Sequence, residues 1–132
     1  MKLPWTAKAN ATDAGKSAES YAADFLKAQG LAIIASNYRG RRGEIDLIAR
    51  KGEVLIFVEV RLRNHSAFAG GAESVDQRKQ RRITATAALY LHQHYGANPP
   101  PCRFDVVSLA SKADNSGSFC VHWIEDAFRP ES

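Results

Sequence analysis

One stretch, residues 43–63, constrains the fold of this chain more than any other. It reads GEIDLIARKGEVLIFVEVRLR, two runs rich in Ile, Leu and Val that are separated by Lys51-Gly52. Such runs, with a two-residue break that contains glycine, are typical of a β-hairpin. The sequence therefore predicts two antiparallel strands joined by a tight turn at Lys51-Gly52.

A turn at these two residues also fixes which side chains share a face, because directly opposed residues project from the same side of a sheet. This register pairs Arg50 with Glu53 and Glu44 with Glu59. One face is then expected to carry the charged side chains Glu44, Asp46, Glu59, Arg61 and Arg63. The opposite face is expected to be apolar and to carry Ile45, Leu47, Ala49, Val54, Ile56, Val58 and Val60.

The charged face also carries three large apolar residues, Ile48, Leu55 and Phe57. Apolar residues on both faces are typical of central strands in α/β proteins, which are covered on both sides. The predicted Glu44–Glu59 pair brings like charges together, which is unfavourable, and a divalent cation would relieve that repulsion. In the alternative interpretation, the two acids are solvated at the strand ends and pair with Arg61 and Arg63.

The spacing of the acids resembles a known signature. Asp46 followed by Glu59-Val60-Arg61 resembles the D…(D/E)-x-K signature of the restriction-endonuclease-like nucleases. The strings GEIDLIAR, FVEVRLR and RFDVV, with GKSAESYAADFLKAQG ahead of them, further resemble the YraN-type bacterial family, which is itself similar to archaeal Holliday-junction resolvases. The resemblance covers about residues 15–128 and implies an α/β fold with a restriction-endonuclease-like αβββαβ core, whose mixed central sheet is flanked by helices.

The resemblance also implies a function, that of a metal-dependent endonuclease acting on branched or single-stranded DNA with Mg²⁺ or Mn²⁺. In such nucleases, the acids at the positions of Asp46 and Glu59 hold the cation on the scissile phosphate, where it polarises the phosphate and activates water. A glutamate of the first helix assists, and Glu19 occupies that place; Glu44 is a further candidate ligand through bound water. An exposed helix acid is the alternative interpretation of Glu19.

The lysine of the signature is replaced by Arg61 in this chain. Arginine binds phosphate and stabilises charge, but it cannot deprotonate to serve as a base. Lys79 could supply the missing ammonium group and is therefore a fourth catalytic candidate beside Asp46, Glu59 and Arg61. The replacement leaves open an active nuclease and a non-catalytic nucleic-acid-binding module that retains the fold; a protein-interaction factor is a third class.

The formal net charge of +4 favours an acidic partner, and the resemblance implies that this partner is DNA. Basic residues flank the acid-rich hairpin and form a second cluster after it. The candidate nucleic-acid-binding residues are Arg39, Arg41, Arg42, Arg63, Arg78, Arg81 and Arg82. A solvated basic surface is the alternative interpretation of these clusters.

Outside the hairpin, apolar periodicity and terminator residues predict two helices and three strands. The helices are expected at residues 13–29 and 74–95, the second with a Ser74–Gln77 capping box. The strands are expected at residues 31–38, 103–109 and 119–124. Residues 1–12 are predicted to form a loose arm, and residues 39–43 a mobile loop because of their two glycines. His65 and Phe68, in the loop after the hairpin, are most simply interpreted as connector residues.

The second helix has an inward apolar stripe, formed by Val75, Ile83, Ala87 and Tyr90. Lys79 falls on the same stripe. It therefore needs an acidic partner, for which Asp46 and Glu59 are the nearest candidates, or it must extend to the surface.

The rest of the chain sets limits on other functions. Cys102 and Cys120 have no zinc or disulfide spacing, and the four histidines form no metal motif. No apolar run is long enough for a membrane span and no signal-peptide core is visible, so we expect one cytoplasmic domain over residues 1–132 and no membrane partner. Asp105 is expected to make a structural hydrogen bond. The resolvase likeness makes a homodimer an option, although no dimer surface is readable.

Overall fold

The computed structural model describes residues 2–5, 14–63, 75–111 and 118–130. These residues form two helices and six strands. In chain order the elements are β1 (Lys2–Trp5), α1 (Ala14–Ala28), β2 (Ala32–Arg39), β3 (Glu44–Lys51), β4 (Val54–Arg63), α2 (Gln77–Tyr95), β5 (Cys102–Ser111) and β6 (Phe119–Phe128). Neither helix is both long and apolar enough to cross a membrane.

All described strands belong to one mixed sheet with the order β1-β6-β5-β4-β3-β2. The β4–β5 pair is parallel and every other pair is antiparallel. From α1 to β5 the order of elements is αβββαβ, which confirms the predicted core. The parallel pair requires a crossover, and α2 supplies it.

The helices cover opposite faces of the sheet. On the α1 face, Phe25 and Leu26 are fully buried with the β3 and β4 residues Leu47, Ile56 and Val58. On the α2 face, buried residues from the same strands pack with the helix, namely Ile48, Leu55, Phe57, Ile83, Ala87 and Tyr90. Burial of each large side chain stabilises the fold by about 1.5–3 kcal/mol. The prediction of strands covered on both sides is therefore confirmed.

The predicted register of the hairpin is wrong by two residues. Lys51 pairs with Val54, so the turn is Gly52-Glu53, and Leu47 lies opposite Val58. Gly52 has a φ of 60°, and two-residue hairpin turns of one type require glycine at their first position. A shift of two residues preserves the side-chain alternation, which is why most of the predicted faces survive.

Ile45 is the exception, because the alternation breaks at Asp46. Ile45 packs in the α2-face cluster whereas Leu47 packs in the α1-face cluster. On the neighbouring strand β2, Asn37 lies at the level of Asp46 and has a left-handed φ of 53°. Such irregularities redirect a side chain and are frequent next to functional sites. The prediction that Ile45 lies with Leu47 is therefore wrong.

Two predicted boundaries also need correction. Residues 2–5 pair with β6 as an edge strand, so the loose arm is wrong for this segment. The α2 helix begins at Gln77, because the Asp76 side chain caps it by accepting a hydrogen bond from the Lys79 backbone N–H at 2.8 Å. Ser74, His65 and Phe68 lie outside the described residues, as does Asp13.

Candidate metal and phosphate-binding site

A cleft of about 480 Å³ lies where the start of β3, the far half of β4 and the first turns of α2 meet. The described residues that line it include four acids and four bases. The acids are Glu44, Asp46, Glu59 and Asp76. The bases are Arg42, Arg78, Lys79 and Arg82. The fold thus gathers residues from three separate sequence segments into one charged cleft, which we call the acid cleft.

The centre of the acid cleft is a pair of carboxyl groups from Asp46 and Glu59. Glu59 is 6% exposed, and the Asp46 side chain hydrogen-bonds with it. Continuing the observed register places these two residues opposite each other on β3 and β4, so the like-charge pair is Asp46–Glu59 and the predicted Glu44–Glu59 pairing is wrong. The Asp46 Oδ2 atom also accepts a hydrogen bond from the Val60 backbone N–H at 2.8 Å.

The environment of Asp46 favours its protonated form. Burial, followed by the hydrogen bond and negative charge of Glu59, raises the pKa of Asp46 to about 8. The Val60 N–H opposes this shift, and the charge of Glu19 adds to it. The Asp46 carboxyl group therefore keeps its proton at neutral pH, beside the Glu59 carboxyl group.

Lys79 is the basic partner of this pair. Its ammonium group forms an ion pair with the Glu59 carboxylate, while its side chain stays 50% exposed. The Asp76 cap fixes the first turn of α2, and this turn directs Lys79 into the acid cleft. Of the two positions that the sequence allows for Lys79, the structure shows the one with an acidic partner.

The two other predicted ligands contact different groups. Glu19 accepts a hydrogen bond from Asn37 Nδ2 at 2.7 Å, and Glu44 forms an ion pair with Arg39 at 3.3 Å. Within the part of the chain that the structure describes, no three His, Cys, Asp or Glu side chains group as a metal-ligand set. A cation at Asp46 and Glu59 would thus have two carboxylate ligands, which fits the preference of Mg²⁺ for one or two carboxylates with water and phosphate oxygens.

The remaining predicted residues divide between the acid cleft and its surroundings. Arg42, Arg78 and Arg82 line the acid cleft, Arg41 lines a groove beside it, and Arg81 lies on the outer side of α2. Arg61 and Arg63 are half-buried on β4 and are absent from the described lining of the acid cleft. The structure therefore brings Lys79 to the carboxyl pair.

The loop between β2 and β3 packs closely against α2. A Cβ atom on Gly40 would lie 3.1 Å from Leu89 Cδ2, and one on Gly43 would lie 3.4 Å from Arg82 Cβ. The Gly40 N–H also donates to the Gly43 carbonyl at 2.9 Å. The glycines, interpreted from the sequence as a source of mobility, permit this close approach, which places Arg42 at the edge of the acid cleft.

Sequence reasoning missed two residues that shape the site. Asp76 caps α2 and lines the acid cleft, and Asn37 holds Glu19 through a hydrogen bond. Both carried a signal: aspartate is a preferred N-cap residue, and asparagine is depleted in strands but tolerates positive φ.

Comparison with known proteins gives the same family throughout. The model of "Uncharacterised protein family UPF0102" matches residues 18–109. A UPF0102 protein of Hahella chejuensis is 45% identical over 126 residues, 96% of this chain and 98% of the relative. A UPF0102 protein of Halorhodospira halophila is 42% identical over the full length of both chains. With most of its length covered in each comparison, the chain belongs to the UPF0102 family, the YraN-type family that its sequence strings indicate.

Proposed function

We propose that this protein is a metal-dependent phosphodiesterase, an endonuclease of the cytoplasm that cleaves nucleic acid, with DNA as the favoured substrate. The observation that carries the proposal is the Asp46–Glu59 pair, two adjacent carboxyl groups with a raised Asp46 pKa in a cleft that also contains four basic side chains. Perturbed carboxyl groups in a cleft are typical of functional sites.

The energetics of the pair support a cation ligand. Two buried carboxyl groups side by side are unfavourable when both are ionised, so the protein without metal keeps a proton between them. A divalent cation would remove this penalty and would release the proton. The donor set fits Mg²⁺ or Mn²⁺, because both oxygen ligands come from carboxylates and the open cleft leaves room for water and phosphate. The Val60 carbonyl is a further ligand that the resemblance implies.

In the proposed reaction the side chains of the acid cleft have separate roles. Asp46 and Glu59 hold the cation, which supplies Lewis-acid activation of the scissile phosphate and of the attacking water. Arg42, Arg78 and Arg82 bind non-bridging phosphate oxygens, a task that suits the planar guanidinium group.

Lys79 takes the role that the signature gives to its lysine. Its ammonium group would donate to an oxygen that gains charge in the transition state, since Glu59 would then hold the cation in place of Lys79. Glu19 acts on the site through its negative charge, and the hydrogen bond from Asn37 holds its carboxylate in place. Branched or single-stranded DNA is the substrate class that the resolvase likeness favours.

A second candidate function is a nucleic-acid-binding module without catalysis. Two observations favour it, namely the arginine at position 61 and the Lys79–Glu59 ion pair, which neutralises one of the two metal ligands. This module would use the same arginines and would bind without cleaving.

Cleavage of plasmid and four-way-junction DNA separates the two functions. The wild-type protein is expected to cleave with Mg²⁺ or Mn²⁺ and to stop in EDTA, whereas Asp46→Asn and Glu59→Gln lose at least about a hundredfold in rate because the cation is lost. The matched controls Asp24→Asn and Glu53→Gln remove exposed acids far from the acid cleft and should cleave like the wild type. Binding that falls with salt, without cleavage by any protein, would instead establish the binding module.

A further inference from the structure

A second cleft, of about 380 Å³, lies on the outer side of α2. Its lining includes Arg42, Gln77, Gln80, Arg81, Thr84 and Arg129. On α2, the residues of this outer cleft lie on the helix face opposite to Lys79 and the buried Ile83. Arg42 lines both clefts, so the two are neighbours at this side chain.

The two clefts differ in charge. The acid cleft combines acids and bases in equal number, whereas the described lining of the outer cleft contains Arg42, Arg81 and Arg129 and no acid. The guanidinium group of Arg129 is oriented by Asp126, with Nη2 2.8 Å from Oδ2. The outer cleft therefore has donors for a polyanion and lacks the carboxylates that would hold a cation.

The neutral residues of the outer cleft favour backbone contacts over base recognition. The Thr84 hydroxyl donates to the Gln80 carbonyl at 2.7 Å, and Gln80 Nε2 donates to the Val75 carbonyl at 2.6 Å. The Thr84 hydroxyl is thus already used within the protein, and the three arginines supply the charged donors for a ligand. Contacts of this kind position a nucleic acid without reading its sequence.

We propose that the outer cleft binds backbone phosphates of the nucleic-acid strand whose scissile phosphate lies in the acid cleft, so that the strand crosses α2 beside Arg42. The inference rests on the proposed function for the position of the scissile phosphate. A helix is about 10–12 Å across, and a B-form strand rises about 3.4 Å per nucleotide. The two clefts are therefore bridged by at least about three nucleotides, and a dinucleotide is too short to occupy both.

The test is the salt dependence of oligothymidylate binding in EDTA, with a dinucleotide and an octanucleotide as probes. The variant Arg81→Gln/Arg129→Gln should reduce the log–log salt slope for the octanucleotide by up to about two units, and leave dinucleotide binding unchanged. The matched control Lys27→Gln/Lys51→Gln removes two exposed charges elsewhere and should change neither. An octanucleotide slope equal to that of the control, or an equal loss of dinucleotide binding, would overturn the inference.

Cleavage assays on the same variants keep this inference separate from the proposed function. If the salt slope for the octanucleotide falls in the variant but no protein cleaves DNA, the proposed strand path stands and the nuclease function is excluded. If the salt slope is unchanged in the variant and cleavage depends on Asp46 and Glu59, the proposed strand path is excluded and the nuclease function stands.

Discussion

Two aspartates of the same sheet, the half-buried Asp46 and the fully buried Asp105, have opposite environments. Asp105 is 0% exposed and accepts hydrogen bonds from Arg103 Nε at 3.0 Å, Trp123 Nε1 at 3.0 Å and the Asp126 backbone N–H at 2.9 Å. Asp46 has the Val60 N–H as a donor and faces a second carboxyl group. A buried carboxylate that the protein itself satisfies is structural, and one placed against another acid is suited to an external ligand.

The comparison is close because the two acids are near each other in the sheet. Asp105 lies beside Val58 in the parallel β4–β5 pair, one residue before the level of Glu59. Its partner Trp123 belongs to the α1-face cluster, whereas Glu59 pairs with Lys79 of α2. The expectation that Asp105 makes structural hydrogen bonds is confirmed, and each face of the sheet thus has a different use for a buried acid.

The largest expected effect is at Asp105. Asp105→Ala leaves the Arg103 charge and the Trp123 N–H without their buried acceptor, so the free energy of unfolding should fall by about 3–5 kcal/mol. Urea denaturation followed by circular dichroism measures the loss. Asp105→Asn, which retains an acceptor oxygen, should cost less. An Asp105→Ala variant as stable as the wild type would show that the acid is not a structural anchor.

At Asp46, by contrast, a substitution is expected to raise the free energy of unfolding. The folded protein keeps the Asp46 proton up to a pH of about 8, whereas the unfolded chain loses it near 3.8. Between these values the folded state binds more protons, so its stability falls as the pH rises. Asp46→Asn removes this titration and should stabilise the protein in EDTA by several kcal/mol at pH 8, since the Glu59 and Val60 contacts are retained.

The gain from Asp46→Asn should grow steadily from pH 5 to pH 8 in thermal melts. The control Asp24→Asn, at an exposed position of α1, should show no such trend. A gain in stability that does not change with pH, or a loss of stability at pH 8, would contradict the claim that Asp46 keeps its proton in the folded protein.

A smaller effect is expected at Lys79, which is half-exposed. Lys79→Met leaves the Glu59 carboxylate without the ammonium group that pairs with it. The free energy of unfolding should therefore fall by about 1 kcal/mol in EDTA. Because Lys79 no longer competes for Glu59, Mn²⁺ should bind several-fold more tightly, while the cleavage rate falls at least about tenfold. Lys27→Met is the matched control on α1. Weaker Mn²⁺ binding, or unchanged cleavage, would exclude the proposed role.

Much of the fold and of the site could be predicted from the sequence, because a register error of an even number of residues leaves each side chain on the same face of the sheet. The hairpin, both helices and the placement of Asp46 and Glu59 on one face follow from periodicity, although the turn is one residue later than predicted and the residue opposite Glu59 was predicted wrongly. The position of Ile45 on the α2 face was not predictable, because the alternation of the sequence pattern continues past the point where the strand breaks it. The partner of Lys79 was likewise open, since the sequence gives no distance between α2 and β4.

The placement of the outer cleft was also beyond the sequence. Arg129 follows the last strand and Arg42 precedes the hairpin, and the fold brings both to the outer side of α2. Linear charge patterns grouped Arg81 with Arg78 and Arg82, whereas helical geometry separates them onto different sides. The charge clusters therefore predicted a basic surface but not its division into two clefts.

The most direct test of the carboxyl pair as a cation site is a crystal of the wild-type protein soaked in Mn²⁺. We expect one anomalous peak between the Asp46 and Glu59 carboxylates at about 2.0–2.3 Å from their oxygens, with the Lys79 ammonium group displaced from Glu59. No peak at this position, with the Lys79–Glu59 ion pair intact at millimolar Mn²⁺, would contradict the account.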